Sequence, residues 1–139
     1  MNIFNDLFKL IKEEIETLSA AGELPDELDL KGVMVEPPRD SQHGDMAPHA
    51  AMVLAKRAGK KPRDIAELLA GRLNARDGIV AVYVAGPGFI NFRLSPSFWQ
   101  SALARIIASG ERYGAFNLGK GQKVNVEYVS ANPTGPLHV

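Results

Sequence analysis

Two runs rich in strand formers lie within residues 79–94 and flank Gly86-Pro87-Gly88, and this pattern constrains the chain more than any other. Glycine and proline at that spacing turn the backbone, so the two runs pair as an antiparallel hairpin. Successive side chains in a strand point to opposite faces. If Ile90, Phe92 and Leu94 face a core, then Phe89, Asn91 and Arg93 share the other face. An aromatic ring, an amide and a guanidinium in a row can stack on an unpaired base, pair with its edge and meet a phosphate. The same residues also fit a Phe covered by a neighbouring loop and an Asn belonging to the turn, and spacing alone leaves both readings open.

The hairpin needs helices to cover it. Ile3, Phe4, Leu7, Phe8, Ile11, Ile15 and Leu18 recur every three or four residues through 2–21, with Asn2 placed to cap the start and Gly22 the end. Glu13, Glu14 and Glu16 fall on the opposite side and read as a solvated face. A short strand is expected over 33–36, ended by Pro37-Pro38. Asp45 is expected to cap a second helix running to Ala58, and His43 reads as a turn or capping group. Pro62 suits the first position of a third helix carrying Ile65, Leu68, Leu69 and Leu73. Ser95-Pro96 opens a fourth, with Phe98, Trp99, Ala102, Leu103, Ile106 and Ile107 on its apolar side, Trp99 in the core and Gly110 closing it. The expected fold is therefore α+β, with helices packed on a small antiparallel sheet.

Lys56, Arg57, Lys60, Lys61 and Arg63 crowd the turn between the second and third helices. They suit phosphate contact, and equally a solvated helix end where cations complement the macrodipole. Sixteen basic and sixteen acidic residues cancel, so nucleic-acid binding would need such a local patch rather than a global field. With no cysteine there are no disulfides and no thiolate chemistry, and three scattered histidines argue against a metal site. No apolar run approaches the ~18 residues of a membrane span, and the N-terminus has no basic leader, so a cytoplasmic protein is expected.

Residues 111–122 read as a linker, in which Gly119-Lys120-Gly121 is no phosphate loop because no helix follows it. Beyond it, Val124, Val126, Tyr128 and Val129 favour a strand that empties into a loop forced by Pro133, Gly135 and Pro136. Ligands of open α/β sheets bind at carboxyl ends of strands, so Glu127, Ser130, Asn132 and His138 stand where a small polar molecule would be gripped, although an ordinary polar turn reads the same.

The run from Glu127, Glu-Tyr-Val-Ser-Ala-Asn-Pro-Thr-Gly-Pro-Leu-His-Val, resembles the lead-in to the His-x-Gly-His signature of class I aminoacyl-tRNA synthetases, in the form seen in the arginyl-tRNA synthetase family. His43-Gly44-Asp45 and residues 86–92 resemble that family's N-terminal appended domain. The resemblance implies a tRNA-binding domain over 1–110, the linker at 111–122, and the start of a nucleotide-binding α/β domain, represented by its isolated first strand, over 123–139. It further implies that the full protein joins arginine to its tRNA using ATP with Mg2+, and acts as a monomer. Asn132, Glu127 and Ser130 would hold arginine, and His138 would stabilise the ATP phosphates. Phe89, Asn91 and Arg93 would read a base of the dihydrouridine loop, supported by Lys60 and Lys61, with no protein-bound metal. The second half of the signature and the Lys-Met-Ser-Lys-type loop are not in this sequence, so these residues alone are expected to be inactive. For want of partner strands, residues 129–139 are expected to be poorly ordered. A free-standing RNA-binding module and a protein-interaction domain using the Glu-rich first helix are the competing readings.

Overall fold

A computed structural model describes residues 2–117, 119–128 and 135. Helix α1 spans Ile3–Ala20, begun by Asn2, whose side-chain oxygen accepts from the Phe4 N–H at 3.0 Å. It buries Leu7, Ile11, Ile15 and Leu18, the stripe set by the 3.6-residue repeat. Strand β1 is Val35–Glu36 and β2 is Ala47–Pro48, an antiparallel pair. Helix α2 covers Ala50–Ala58, and Gly59 ends it in the left-handed conformation. Helix α3, Pro62–Leu73, buries Ile65, Ala66, Leu69 and Leu73.

Strands β3, Ile79–Ala85, and β4, Phe89–Leu94, form the expected hairpin, pairing Ala85 with Phe89, Tyr83 with Asn91, Val82 with Phe92 and Ala81 with Arg93. Ile90, Phe92 and Leu94 go into the core, Phe92 as one of its largest fully buried side chains. The two small sheets are stitched together by main-chain bonds. Phe92 N–H donates to the Met46 carbonyl at 2.9 Å, and Asp45 and Met46 N–H groups donate back to the Phe92 carbonyl at 2.9 and 3.2 Å. Helices α1 and α3 are pinned by the buried Glu14 carboxylate, which accepts from Arg72 Nε at 2.8 Å and from Arg76 Nε. Helix α4, Pro96–Ser109, is capped by the Ser95 hydroxyl oxygen, which accepts from the Phe98 N–H at 3.1 Å.

Four expectations are corrected. Glu14 does not share a solvated face with Glu13 and Glu16: it is 1 % exposed, and the guanidinium groups of Arg72 and Arg76 compensate its buried charge. The second helix starts at Ala50 instead of after Asp45, because the Asp45 carboxylate is used elsewhere: its Oδ2 accepts from the Leu94 N–H at 2.7 Å and closes the end of β4. Residues 45–48 consequently run beside the hairpin. Trp99 is not in the core. It remains exposed, set edge-on to Phe98 with ring centroids 5.7 Å apart, and of the apolar side of α4 only Ala102 is buried. Residues 122–127 form no strand, and Val124, Val126 and Tyr128 are exposed. A strand persists only against a neighbour that takes up its N–H and C=O groups, and no described segment pairs with these residues. The order expected to fail over 129–139 concerns residues that, Gly135 apart, lie outside the described set.

Candidate nucleic-acid interface

The outer face of the hairpin is set by its register. Cross-strand partners share a face, so Phe89 stands beside Ala85, Asn91 beside Tyr83, and Arg93 beside Ala81. The small Ala85 leaves the two rings free: Phe89 is 48 % exposed and Tyr83 50 %. Asn91 differs. It lies on this face, as alternation requires, but is only 9 % exposed, because the loop after β1 walls it in.

Pro37 and Pro38 cannot continue the ladder and turn the chain across β4. The loop then makes a short 3₁₀ turn, Ser41–His43, begun by Asp40, whose carboxylate accepts from the Gln42 N–H at 2.9 Å. Gly44 follows with φ of 135°, and a Cβ there would lie 2.9 Å from the Phe92 carbonyl oxygen. Only glycine lets the loop lie this close to β4. Arg93 ties the loop down, its Nη2 donating to the Gln42 carbonyl at 3.1 Å. The sequence His43-Gly44-Asp45 thus has a local explanation: a wall residue, a close approach and a strand-end acceptor.

Between loop and hairpin lies a groove of about 590 Å³, lined by Glu36, Arg39, His43, His49, Phe89 and Asn91 among others. A hollow of about 270 Å³ adjoins it, sharing His43, Ala85 and Asn91 and adding Gln42, Tyr83 and Arg93. Such volumes suit a planar ligand the size of a nucleobase. Asn91 forms part of the walls of both, and among the described residues its side-chain amide has no hydrogen-bond partner. Among the described residues only Asp6 Oδ2 is both buried and without a hydrogen-bond partner, so the Asn91 amide keeps contact with the open groove, where a ligand can reach it.

The basic cluster meets this site at the hairpin turn. Gly88, with φ of 148°, packs so closely that a Cβ would lie 2.7 Å from the Pro62 carbonyl carbon. Arg63 Nη1 donates to the Gly86 carbonyl at 3.1 Å, and its Nε binds Glu67 at 2.9 Å. Arg57 is taken up by Asp29, through its carbonyl and its carboxylate, both at 2.8 Å. Lys60 and Lys61 are exposed, form no ion pair among the described residues, and precede the proline that seats the turn leading to Phe89. With Arg39, His43, His49 and Arg93 they give this end of a neutral chain a local excess of cations and hydrogen-bond donors, opposed in the groove by Glu36 alone.

The other candidate site residues are not brought to this groove. Glu127 is exposed in a stretch without regular structure, and Ser130, Asn132 and His138 lie outside the described residues. The Glu-rich face of α1 is largely committed within the chain, Glu13 and Glu14 to Arg76 and Arg72 and Glu16 to Lys12. Among the described residues no cluster of His, Asp and Glu is arranged to hold a metal, and no helix is long and apolar enough to cross a membrane. Sequence reasoning passed over Tyr83, Arg39 and His49. Tyr83 was within reach, since counting back across the turn from Asn91 reaches it. Arg39 and His49 join the groove through loop packing that has no periodic signal.

The fold is α+β and is shared with part of a solved structure: the crystal structure of arginyl-tRNA synthetase from Plasmodium falciparum matches it with a TM-score of 0.58 at 16 % identity, over 73 % of this chain and 17 % of that one. Residues 5–94 match the arginyl-tRNA synthetase N-terminal domain family, and the chain belongs to that family. Arginine–tRNA ligases of Cereibacter sphaeroides, Paracoccus denitrificans and Roseobacter denitrificans are 58 %, 57 % and 55 % identical to it over all 139 residues. The chain spans 24 % of the length of each of these relatives.

Proposed function

We propose that these residues are the tRNA-contacting N-terminal portion of a cytoplasmic, monomeric arginine–tRNA ligase, and that the groove beside β4 takes an unstacked base of the tRNA dihydrouridine loop. The observation that carries this reading is the pairing of the exposed Phe89 ring with the walled-in, unpartnered Asn91 amide in one groove. Single-stranded RNA is recognised by stacking on a ring and by hydrogen bonds to a base edge. Tyr83 supplies a second ring, while Arg39, His43 and His49 supply donors for the base or its phosphate. Arg93 acts mainly as the brace of the groove wall, and Lys60 and Lys61 attract the backbone from the hairpin tip.

In the whole protein, residues 1–110 would form this domain, 111–122 the linker, and 123–139 the entry to the catalytic domain. Glu127, Ser130 and Asn132 would grip arginine there, and His138 would meet the phosphates of ATP, supplied with Mg2+, as charge builds during adenylate formation. The 139 residues alone hold too little of that site to position reactants and should give no arginine-dependent pyrophosphate exchange.

The test is made in the full-length ligase. Stacking on a ring is worth about 1–3 kcal/mol, so Phe89→Ala and Asn91→Ala should each raise the KM for tRNA about tenfold. Arginine-dependent pyrophosphate exchange, measured at saturating tRNA, should be unchanged. If both variants charged limiting tRNA as well as the parent does, the groove would be structural only.

A further inference from the structure

Helix α4 is amphipathic by sequence but not by burial. Of its fourteen residues only Ala102 is buried. Trp99, Leu103 and Ile107 follow one another at four-residue intervals, which aligns them in one stripe, and Leu103 and Ile107 are 56 % and 71 % exposed. The stripe is not isolated. Trp99 and Phe4 line one hollow with Pro37 and Pro38, and Phe4 lines a second, of about 250 Å³, with Tyr113 and Phe116. Large apolar side chains gathered on one face are uncommon on a free surface and mark a contact site.

We infer that this face is the docking surface for the remainder of the ligase polypeptide, the part that follows residue 139 in the full protein. Three observations select that occupant. The relatives are about four times longer than this chain, which covers 24 % of them, so a large body must be accommodated. The chain leaves α4 through the turn Gly110–Arg112 and passes Tyr113 and Phe116, which line a hollow together with Phe4, so the path of exit borders the same face. Charge disfavours a nucleic acid: α4 itself carries one ionic side chain, Arg105, and that is turned to Asp6 at 3.8 Å, away from the stripe of Trp99, Leu103 and Ile107. The inference rests on the reading that the full protein is the ligase, and does not depend on RNA binding in the groove. That reading fails if the full protein shows no arginine-dependent pyrophosphate exchange with tRNA present, a result separate from the one that follows.

The absence of cysteine from these residues permits a direct test. In the full-length ligase, Leu103→Cys and Ile107→Cys are compared with Lys9→Cys on the outer face of α1 and Val80→Cys on β3, all exposed positions here. Modification by a maleimide is followed by peptide mass spectrometry, with pyrophosphate exchange confirming that each variant is folded. The thiols at positions 103 and 107 should react at least about tenfold more slowly than both controls, because only opening of the docked face admits the reagent. That protection should survive a dilution of about a hundredfold, as an intrachain contact must. Reaction at the rate of the controls would overturn the inference. Protection lost on dilution would overturn it too, and would assign the face to a second copy.

Discussion

Replacing Gly88 by alanine should disturb fold and site together. Its φ of 148° belongs to a region that side-chain-bearing residues rarely adopt, at a cost of about 1–3 kcal/mol. A Cβ would also lie 2.7, 2.8 and 2.9 Å from the carbonyl carbon, carbonyl oxygen and Cβ of Pro62. Those atoms belong to the first turn of α3 and cannot swing aside as a side-chain tip would, so overpacking adds about 1–3 kcal/mol. Together these give about 2–6 kcal/mol, or roughly 8–24 °C in Tm for a chain of this size. The cheapest relief is for the hairpin tip to lift away from Pro62, which moves Phe89 away from Lys60 and Lys61. Gly86→Ala is the matched control. Its φ is 52°, but the nearest atom to its added Cβ is Phe89 Cδ2 at 3.6 Å, so it should cost only about 1 kcal/mol. Thermal unfolding followed by circular dichroism compares the two, and the KM for tRNA in the full-length ligase should rise more for Gly88→Ala. Equal stability of the two variants would refute the seating of the hairpin on α3, and with it the link between the basic cluster and the groove.

Glu14→Gln removes the carboxylate that holds α1 to α3. Since Arg72 and Arg76 are half-exposed and can turn to water, the loss should be about 2–3 kcal/mol by urea unfolding, at the low end for a broken buried pair. Burial by itself would raise the Glu14 carboxyl, but hydrogen bonds and charge from Arg72 and Arg76 outweigh it and hold the group below its ordinary 4.5. A depressed folded value means stability that is complete above pH 4.5 and lost as pH falls through the lowered value, so unfolding free energy should decline in that acid window in the parent and not for this reason in Glu14→Gln. Asp45→Ala leaves the Leu94 N–H without its acceptor and should cost about 1–3 kcal/mol by the same measurement. Lys60→Ala combined with Lys61→Ala should weaken tRNA binding by the full-length ligase and lower the slope of log affinity against log salt by about 1–2, as expected for one phosphate contact each. An unchanged slope would remove both lysines from the interface.

Local rules sufficed where the determining interaction was local. The α1 stripe, the Asn2 and Ser95 caps, the Gly86-Pro87-Gly88 turn and the inward alternation of Ile90, Phe92 and Leu94 all follow from backbone periodicity and hydrogen-bonding chemistry within a few residues. The family was legible too, because the resemblance lies in contiguous runs. What the sequence could not supply was the destination of groups whose partners are distant along the chain. Asp45 has the chemistry of a helix cap, and only the crossing of its loop over β4 hands its carboxylate to Leu94 instead. Asn91 was placed on the correct face by alternation, but its confinement depends on a wall built from residues some fifty positions earlier. Arg39 and His49 enter the groove by that same packing. The apolar side of α4 makes the converse point: periodicity states that a face wants to be covered, and only the tertiary structure shows that nothing among the described residues covers it, since burial belongs to a pair of surfaces and not to one sequence.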